Sequence, residues 1–206
     1  SKMKKFLILV LTAIMVLSIA ACGKEAPAAS QSPSAKPTES ATSTPAADKK
    51  IKIGATFYSL QNEFTMRMDN AGKKYCQENG IEYTSYDGNY DAATQLAQVE
   101  TMIADGVDAI ILNPQDAVAC AEAVEIAHKA GIPVIGVNTM VESDLLTSYV
   151  GSQDVSAGED IMQYMIDYLG KDEFNIVIIE GPMGQSAQLQ RNEGITNVMK
   201  KYPKIK

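Results

Sequence analysis

Six short runs of β-branched and aliphatic residues, at 51–56, 81–86, 107–112, 133–137, 147–150 and 175–179, recur along the later part of this chain. Between most of them lie segments whose apolar residues fall at helical spacing. Leu96, Val99 and Ile103 form one such stripe, Cys120, Val124 and Ala127 another, and Ile161, Met165 and Leu169 a third. This alternation is a βα repeat of roughly 25 residues, and a helix between successive strands returns the chain to the same end of a sheet, so the strands run parallel. Ala109-Ile110-Ile111-Leu112 and Ile176-Val177-Ile178-Ile179 are apolar at every position, which asks for helices on both faces. The predicted fold class is α/β, a doubly wound parallel sheet. Gly80, Gly106, Gly131 and Gly170 stand where left-handed caps would end helices, and Asp91 and Asp116 stand at expected N-caps. If the second strand lies on one side of the first and the later strands on the other, right-handed crossovers put Cys76 and Cys120 on opposite faces. Both then read as small buried hydrophobes, not as a disulfide.

Residues 51–206 carry 11 Lys and Arg against 22 Asp and Glu, a formal −11 within a whole-chain charge of −7. Nucleic acid is excluded as a partner, because phosphate binding needs clustered positive charge. The first fifty residues differ in kind. Lys2, Lys4 and Lys5 precede an apolar run at 6–21 of about sixteen residues, shorter than the roughly twenty a spanning helix needs. The segment then reads Ile19-Ala20-Ala21-Cys22 and continues into Ala, Ser, Thr and four prolines over 23–50. Such a stretch has too little apolar surface to offset chain entropy and is expected to be a disordered tether spanning roughly 30 Å. Ile19 to Cys22 resembles the bacterial lipobox, which implies lipidation of Cys22 and a body held at the outer face of the cytoplasmic membrane. An ordinary signal peptide with an incidental cysteine is the alternative. The expected organisation is a leader at 1–22, a tether at 23–50, a first lobe at 51–152 and part of a second at 153–206.

In a doubly wound sheet the ligand site lies where the carboxyl ends of the strands meet their loops. Those loops read Tyr58-Ser59-Leu60-Gln61-Asn62-Glu63-Phe64, Asp87-Gly88-Asn89-Tyr90, Asn113-Pro114-Gln115-Asp116, Asn138-Thr139-Met140 and Gly181-Pro182-Met183-Gly184-Gln185-Ser186, the last leading to Arg191. Neither GxGxxG after the first strand nor a Walker A sequence occurs. No Cys/His set has metal spacing, and the single histidine, His128, falls late in a helical segment, away from a triad position. No cofactor and no catalytic apparatus is therefore expected. Planar Asn, Gln and Arg groups can bridge neighbouring hydroxyls and an aromatic ring can cover a sugar's CH face, so the loops suit a neutral polyol.

The stretches IGATFYSLQNEFTMRM, VDAIILNPQDAVA, GIPVIGVNT, YVGSQDVSAGED and IEGPMGQSAQLQRNEG resemble, in this order and spacing, the type I periplasmic sugar-binding proteins of ribose-type ABC transporters. The resemblance covers residues 51–206 and implies two flavodoxin-like lobes, hinged by crossing strands and closing on a sugar. Carried over by position, it implies ligand contacts at Asn62 and Phe64, the amide bonding a hydroxyl and the ring stacking. Asn138 and Thr139 match an Asp-Arg pair, and Arg191, in Arg191-Asn192-Glu193-Gly194, matches an arginine that donates to the sugar. Asn-Thr in place of Asp-Arg removes a charged acceptor and a five-donor fork, so the hydroxyl pattern read there must differ from that of ribose. Another pentose, a hexose or a cyclitol such as inositol is expected.

Each of these residues also has a purely structural role open to it. Asn62 can cap the following helix, Phe64 can enter its core, Asn138 can satisfy strand-end backbone and Arg191 can be a solvated helix residue. Gln185 and Ser186 read as caps of the last helix, and Asp87-Gly88 and Asn113-Pro114 as turns. A full family member would continue for about another hundred residues past Lys206, so the second lobe is expected to be incomplete and unstable alone. Three functions stay open: the solute-binding lipoprotein of an ABC importer delivering to permease and ATPase subunits, a sugar-sensing module for a receptor kinase or chemoreceptor, and an exported enzyme. The lack of a nucleophile and base pair disfavours the last.

Overall fold

The computed structural model describes residues 49–206, so the expected leader with Cys22 and nearly all of the tether lie outside the described residues. Strands β1 (Lys52–Phe57), β2 (Glu82–Asp87), β3 (Ala109–Asn113), β4 (Val134–Asn138) and β5 (Ser148–Gly151) form one parallel sheet in the order β2-β1-β3-β4-β5. Helices α1 (Glu63–Glu78), α2 (Ala92–Ala104) and α3 (Ala121–Lys129) connect the first four strands, and α4 (Asp154–Leu169) and α5 (Ser186–Met199) follow β5. The expected architecture is present. Each strand ends one residue beyond its apolar run, because Phe57, Asp87, Asn113, Asn138 and Gly151 hold the last ladder positions. Asp87, Asn113 and Asn138 thereby place polar side chains at the carboxyl edge of the sheet.

The main core lies between the sheet and α2 and α3. Val99 and Met102 on α2, Ile110 and Leu112 on β3, Val124 and Ala127 on α3, and Val134 on β4 are all buried there. Each large aliphatic side chain contributes about 1.5–3 kcal/mol on full burial. Cys76 in α1 and Cys120 just before α3 are both free and buried. The four glycines expected to end helices all take positive φ. Asp91 caps α2 through the Thr94 N–H. Asp116 behaves differently from expectation, since α3 begins only at Ala121. Its Oδ1 accepts the N–H groups of Val118 (2.9 Å) and Ala119 (2.8 Å), so it caps the turn before the helix.

A second, smaller core joins α4 to α5 through Met162, Ile166, Ile195 and Val198, with Ile205 beneath them. Two glycines let these helices touch backbone to backbone. A Cβ on Gly158 would lie 2.1 Å from the Arg191 carbonyl oxygen, and one on Gly194 2.0 Å from that of Val155. The segment 175–179, expected as a strand, joins no ladder. Among the described residues its backbone meets only Lys206, with Ile176 N–H donating to the Lys206 carbonyl (2.7 Å) and Lys206 N–H to that of Phe174 (3.0 Å). Val177 is 91% and Ile179 94% exposed. Apolar composition marks a segment fit for a sheet interior, but a strand forms only where neighbouring backbone completes its hydrogen bonds.

Candidate ligand-binding site

A cavity of about 590 Å³ opens at the carboxyl ends of β1 and β4 and faces α4 and α5 across it. That volume lies in the range of small-molecule sites. Phe64, Asn138, Thr139 and Arg191 line it together, joined by Tyr58, Gln185, Gln188 and the segment 176–182. Asn62 stands behind this wall. Its Oδ1 caps α1 by accepting from Thr65 N–H (2.9 Å) and from the Thr65 hydroxyl (2.8 Å), while its Nδ2 donates to the Tyr58 phenol oxygen (3.2 Å). One Nδ2 hydrogen remains for another acceptor. Phe64, in the first turn of α1, is 57% exposed and presents its ring to the cavity instead of the core.

Asn138 has φ +64, and the Thr139 N–H turns back to the Val137 carbonyl at 2.7 Å, closing a three-residue turn around it. Such left-handed turns are strained in residues other than glycine, and asparagine tolerates them better than most. The Tyr149 hydroxyl donates to the Asn138 carbonyl (2.8 Å) and fixes the peptide from below. Thr139 is 1% exposed and its hydroxyl is used internally, donating to the Pro114 carbonyl and accepting from Asn113 Nδ2, both at 3.0 Å. Beneath lies fully buried Gln95. Its Nε2 donates to the Asn113 carbonyl (3.0 Å) and the Thr56 hydroxyl (3.2 Å), and its Oε1 accepts the Gln115 N–H (2.7 Å). These bonds tie α2 to β1 and to the end of β3, while among the described residues Asn113 Oδ1 and Gln115 Oε1 have no hydrogen-bond partner.

Across the cavity, Arg191 is held by a buried carboxylate. Its Nε and Nη2 both reach Asp154 Oδ1 at 2.9 Å, and the Ser152 hydroxyl donates to the same oxygen at 2.8 Å. Asp154 is 1% exposed and the Arg191 side chain 50%, so the charge is balanced from within while the remaining guanidinium hydrogens face outward. Burial raises the Tyr149 phenol above its usual range, as does the Asp154 carboxylate, and Arg191 opposes the shift. Tyr58 is raised mainly by burial, against the hydrogen bond from Asn62. Tyr90 packs on Tyr58 with ring centroids 5.7 Å apart, and Asn89 and Tyr90 are consecutive left-handed residues, φ +51 and +59.

Gln185 and Ser186 do not cap α5 as expected. Gln185 occupies the N-cap position without a side-chain capping bond, and the Ser186 hydroxyl accepts the Met140 N–H at 2.6 Å. That bond joins the loop after β4 to the start of α5. A second cavity of about 670 Å³ lies beside it, between residues 140–144 and Leu189, Gln190 and Glu193. Tyr58 and Asp154 are cavity or support residues that the sequence reading did not single out, and Gln185 was expected only as a helix cap. The signals available were position alone: Tyr58 directly after β1, Asp154 in the first turn of α4, and Gln185 directly before α5.

Residues 53–206 match the periplasmic binding protein domain family. The xylitol-binding protein of Mycolicibacterium smegmatis is 39% identical over 155 residues, which are 75% of this chain and 44% of that protein. The ribose import binding protein of Bacillus subtilis is 31% identical over 196 residues, 95% of this chain and 60% of that protein. The chain thus spans about half the length of these curated relatives. An ABC transporter solute binding protein from Bacillus halodurans, solved with bound myo-inositol, superposes with a TM-score of 0.71 at 32% identity, over 76% of this chain and 55% of that one. With the match running over residues 53–206, the chain belongs to the periplasmic binding protein domain family.

Proposed function

We propose that the protein is the solute-binding component of an ABC importer and that its ligand is a neutral sugar or cyclitol: a pentose, a hexose or an inositol-like ring. The observation that carries this reading is the cavity wall itself. An exposed Phe64 ring sits among amide and guanidinium groups, the one arginine is already neutralised by buried Asp154, and the Glu180 carboxylate on the same wall is engaged by the Gln188 and Asn192 amides. A charged ligand would want an unbalanced partner, whereas hydroxyls need only donors and acceptors, with a ring for the CH face. Phe64 stacks, Asn138 and Arg191 hydrogen-bond to hydroxyls, Asn62 contributes through its free amide hydrogen, and Thr139 holds the Asn138 loop in place. The relatives that bind xylitol and myo-inositol support a polyol of this size. Binding proceeds without chemical change and delivers the ligand to membrane permease and ATPase subunits. The lipobox-like Ile19 to Cys22 supports a lipid anchor on the exported protein.

Thermal denaturation of the full-length protein against D-ribose, xylitol, myo-inositol and a set of amino acids tests the reading. A cognate polyol at a hundredfold excess over its Kd adds about 2.7 kcal/mol of stability. Silence toward every polyol with a response to amino acids overturns the ligand class. Mass measurement of the mature N-terminus tests the anchor, and an unmodified Cys22 thiol in the native membrane fraction overturns it.

A further inference from the structure

On the second-lobe wall of the cavity, two buried polar atoms have no hydrogen-bond partner among the described residues: Gln185 Nε2 and Gln188 Oε1. Gln185 is only 5% exposed, and no capping bond uses its side chain. Gln188 is held from its other end. Its Nε2 donates to Glu180 Oε2 at 2.9 Å, and the second oxygen of that carboxylate accepts Asn192 Nδ2 at 2.5 Å. This clamp orients the Gln188 amide and leaves its oxygen as the spare acceptor. Buried polar atoms without partners are rare in native proteins, and a site that binds a polar guest is one place where they persist.

The two orphans are opposite in kind. One N–H lacks an acceptor and one carbonyl lacks a donor, three residues apart at the start of one helix. A hydroxyl group answers both, since it accepts through a lone pair and donates its proton. A carboxylate would leave the Gln188 oxygen unpaired, and an ammonium would leave the Gln185 nitrogen so. The last torsion of a glutamine side chain is broad, so Gln185 can swing its amide toward a guest at little cost. We propose that Gln185 and Gln188 form a two-point reader for a single hydroxyl of the ligand, Gln185 Nε2 donating to its oxygen and Gln188 Oε1 accepting its hydrogen. This deepens the polyol-binding reading and rests on it. The pair makes the protein discriminate a polyol from its monodeoxy analogue at one carbon, independently of the contacts from Asn138 and Arg191.

The test is a double-mutant cycle by calorimetric titration on the full-length protein. Wild type, Gln185→Leu and Gln188→Leu are titrated with D-ribose, xylitol and myo-inositol, then with the monodeoxy analogues of whichever binds. Each substitution is expected to weaken the parent polyol about tenfold to a hundredfold. One analogue should bind wild type correspondingly weakly and bind both variants as well as the parent does. Gln185→Glu keeps the side-chain size, removes the donor and is expected to abolish the same discrimination, which guards against a folding defect in the leucine variants. Variants that distinguish every deoxy analogue as wild type does overturn the pair while leaving polyol binding intact. Failure of wild type to bind any of the three polyols, or D-glucose and D-allose titrated beside them, overturns the underlying reading and the pair with it.

Discussion

Asn138 is the residue at which the fold bears a cost for the site. Its positive φ breaks a local preference at the end of a strand, where an extended residue would continue the ladder, and the Thr139 N–H and Tyr149 hydroxyl hold it there. Strain that the surroundings over-determine concentrates at functional positions. The backbone and side-chain roles of Asn138 are separable by substitution. Asn138→Gly should leave stability unchanged or slightly raised, because glycine adopts this φ freely, and should weaken polyol binding about tenfold. Asn138→Val should lose about 1–2 kcal/mol of stability as well, since a β-branched residue resists the left-handed region. Urea denaturation alongside ligand titration checks both, and equal stability of the two variants would count against strain. Residues of this sort were partly legible in sequence. Asn138 and Arg191 stand in recognisable segments, whereas Gln95 sits beside Leu96 on an apolar helical stripe and gives no sign that its amide ties β1 to the end of β3 and the loop after it. Asp154 was invisible as the partner of Arg191 because 37 residues separate them.

At the level of elements, period and punctuation sufficed for the sheet. The βα alternation, the capping glycines and the Asp91 cap follow from apolar spacing and from which residues tolerate left-handed or capping geometry, whereas the strand order enters the sequence argument only as a condition. Strand ends did not follow, because Asp87, Asn113 and Asn138 pair in the ladder while looking like loop residues. The contact between α1 and β2 was also hidden. Tyr83 on β2 donates its hydroxyl to Asp69 of α1 at 3.2 Å, and Lys73 pairs with the other Asp69 oxygen at 2.5 Å. Burial raises the Tyr83 phenol far above its ordinary range, and the Asp69 charge and hydrogen bond push it further. An acid whose folded-state pKa is raised keeps its proton when the unfolded chain has lost it. Stability is therefore fully present below about pH 10 and falls as pH rises beyond it, by at most about 1.4 kcal/mol per pH unit for this one group. Tyr83→Phe should cost about 1 kcal/mol at pH 8 through the lost hydrogen bond and should flatten the alkaline slope. Urea melts from about pH 8 to 11 measure both. A residual slope is expected from Tyr58 and Tyr149, whose phenols are also raised, but an unchanged slope would remove Tyr83 as its source.

For the whole molecule, the two lobes differ in how their backbone is satisfied. The first lobe closes its ladder across five strands, with α2 and α3 sealing one face over Ile110 and Leu112. The second holds α4 against α5 by close glycine contacts and the apolar cluster of Met162, Ile166, Ile195 and Val198, against which Ile176 packs, while Val177 and Ile179 stand in solvent. Besides the chain itself, backbone hydrogen bonds from Ala117 N–H to the Gly184 carbonyl (3.0 Å) and the Met140 to Ser186 bond join the lobes beside the cavity. Amide protection follows ladder completion and buried packing, so it should divide the 206-residue chain unevenly. Hydrogen exchange read by mass spectrometry should show slow exchange in β1, β3 and β4, intermediate exchange in α4 and α5, and fast exchange at residues 177–179, where no carbonyl among the described residues receives their N–H groups. Adding a cognate polyol should slow exchange at the starts of α1 and α5 together, because Phe64 and Arg191 face one cavity from opposite lobes. Protection at 177–179 equal to that of β3 would mean that another strand pairs there in solution, most simply from a second copy, and protection that then falls on dilution would identify it.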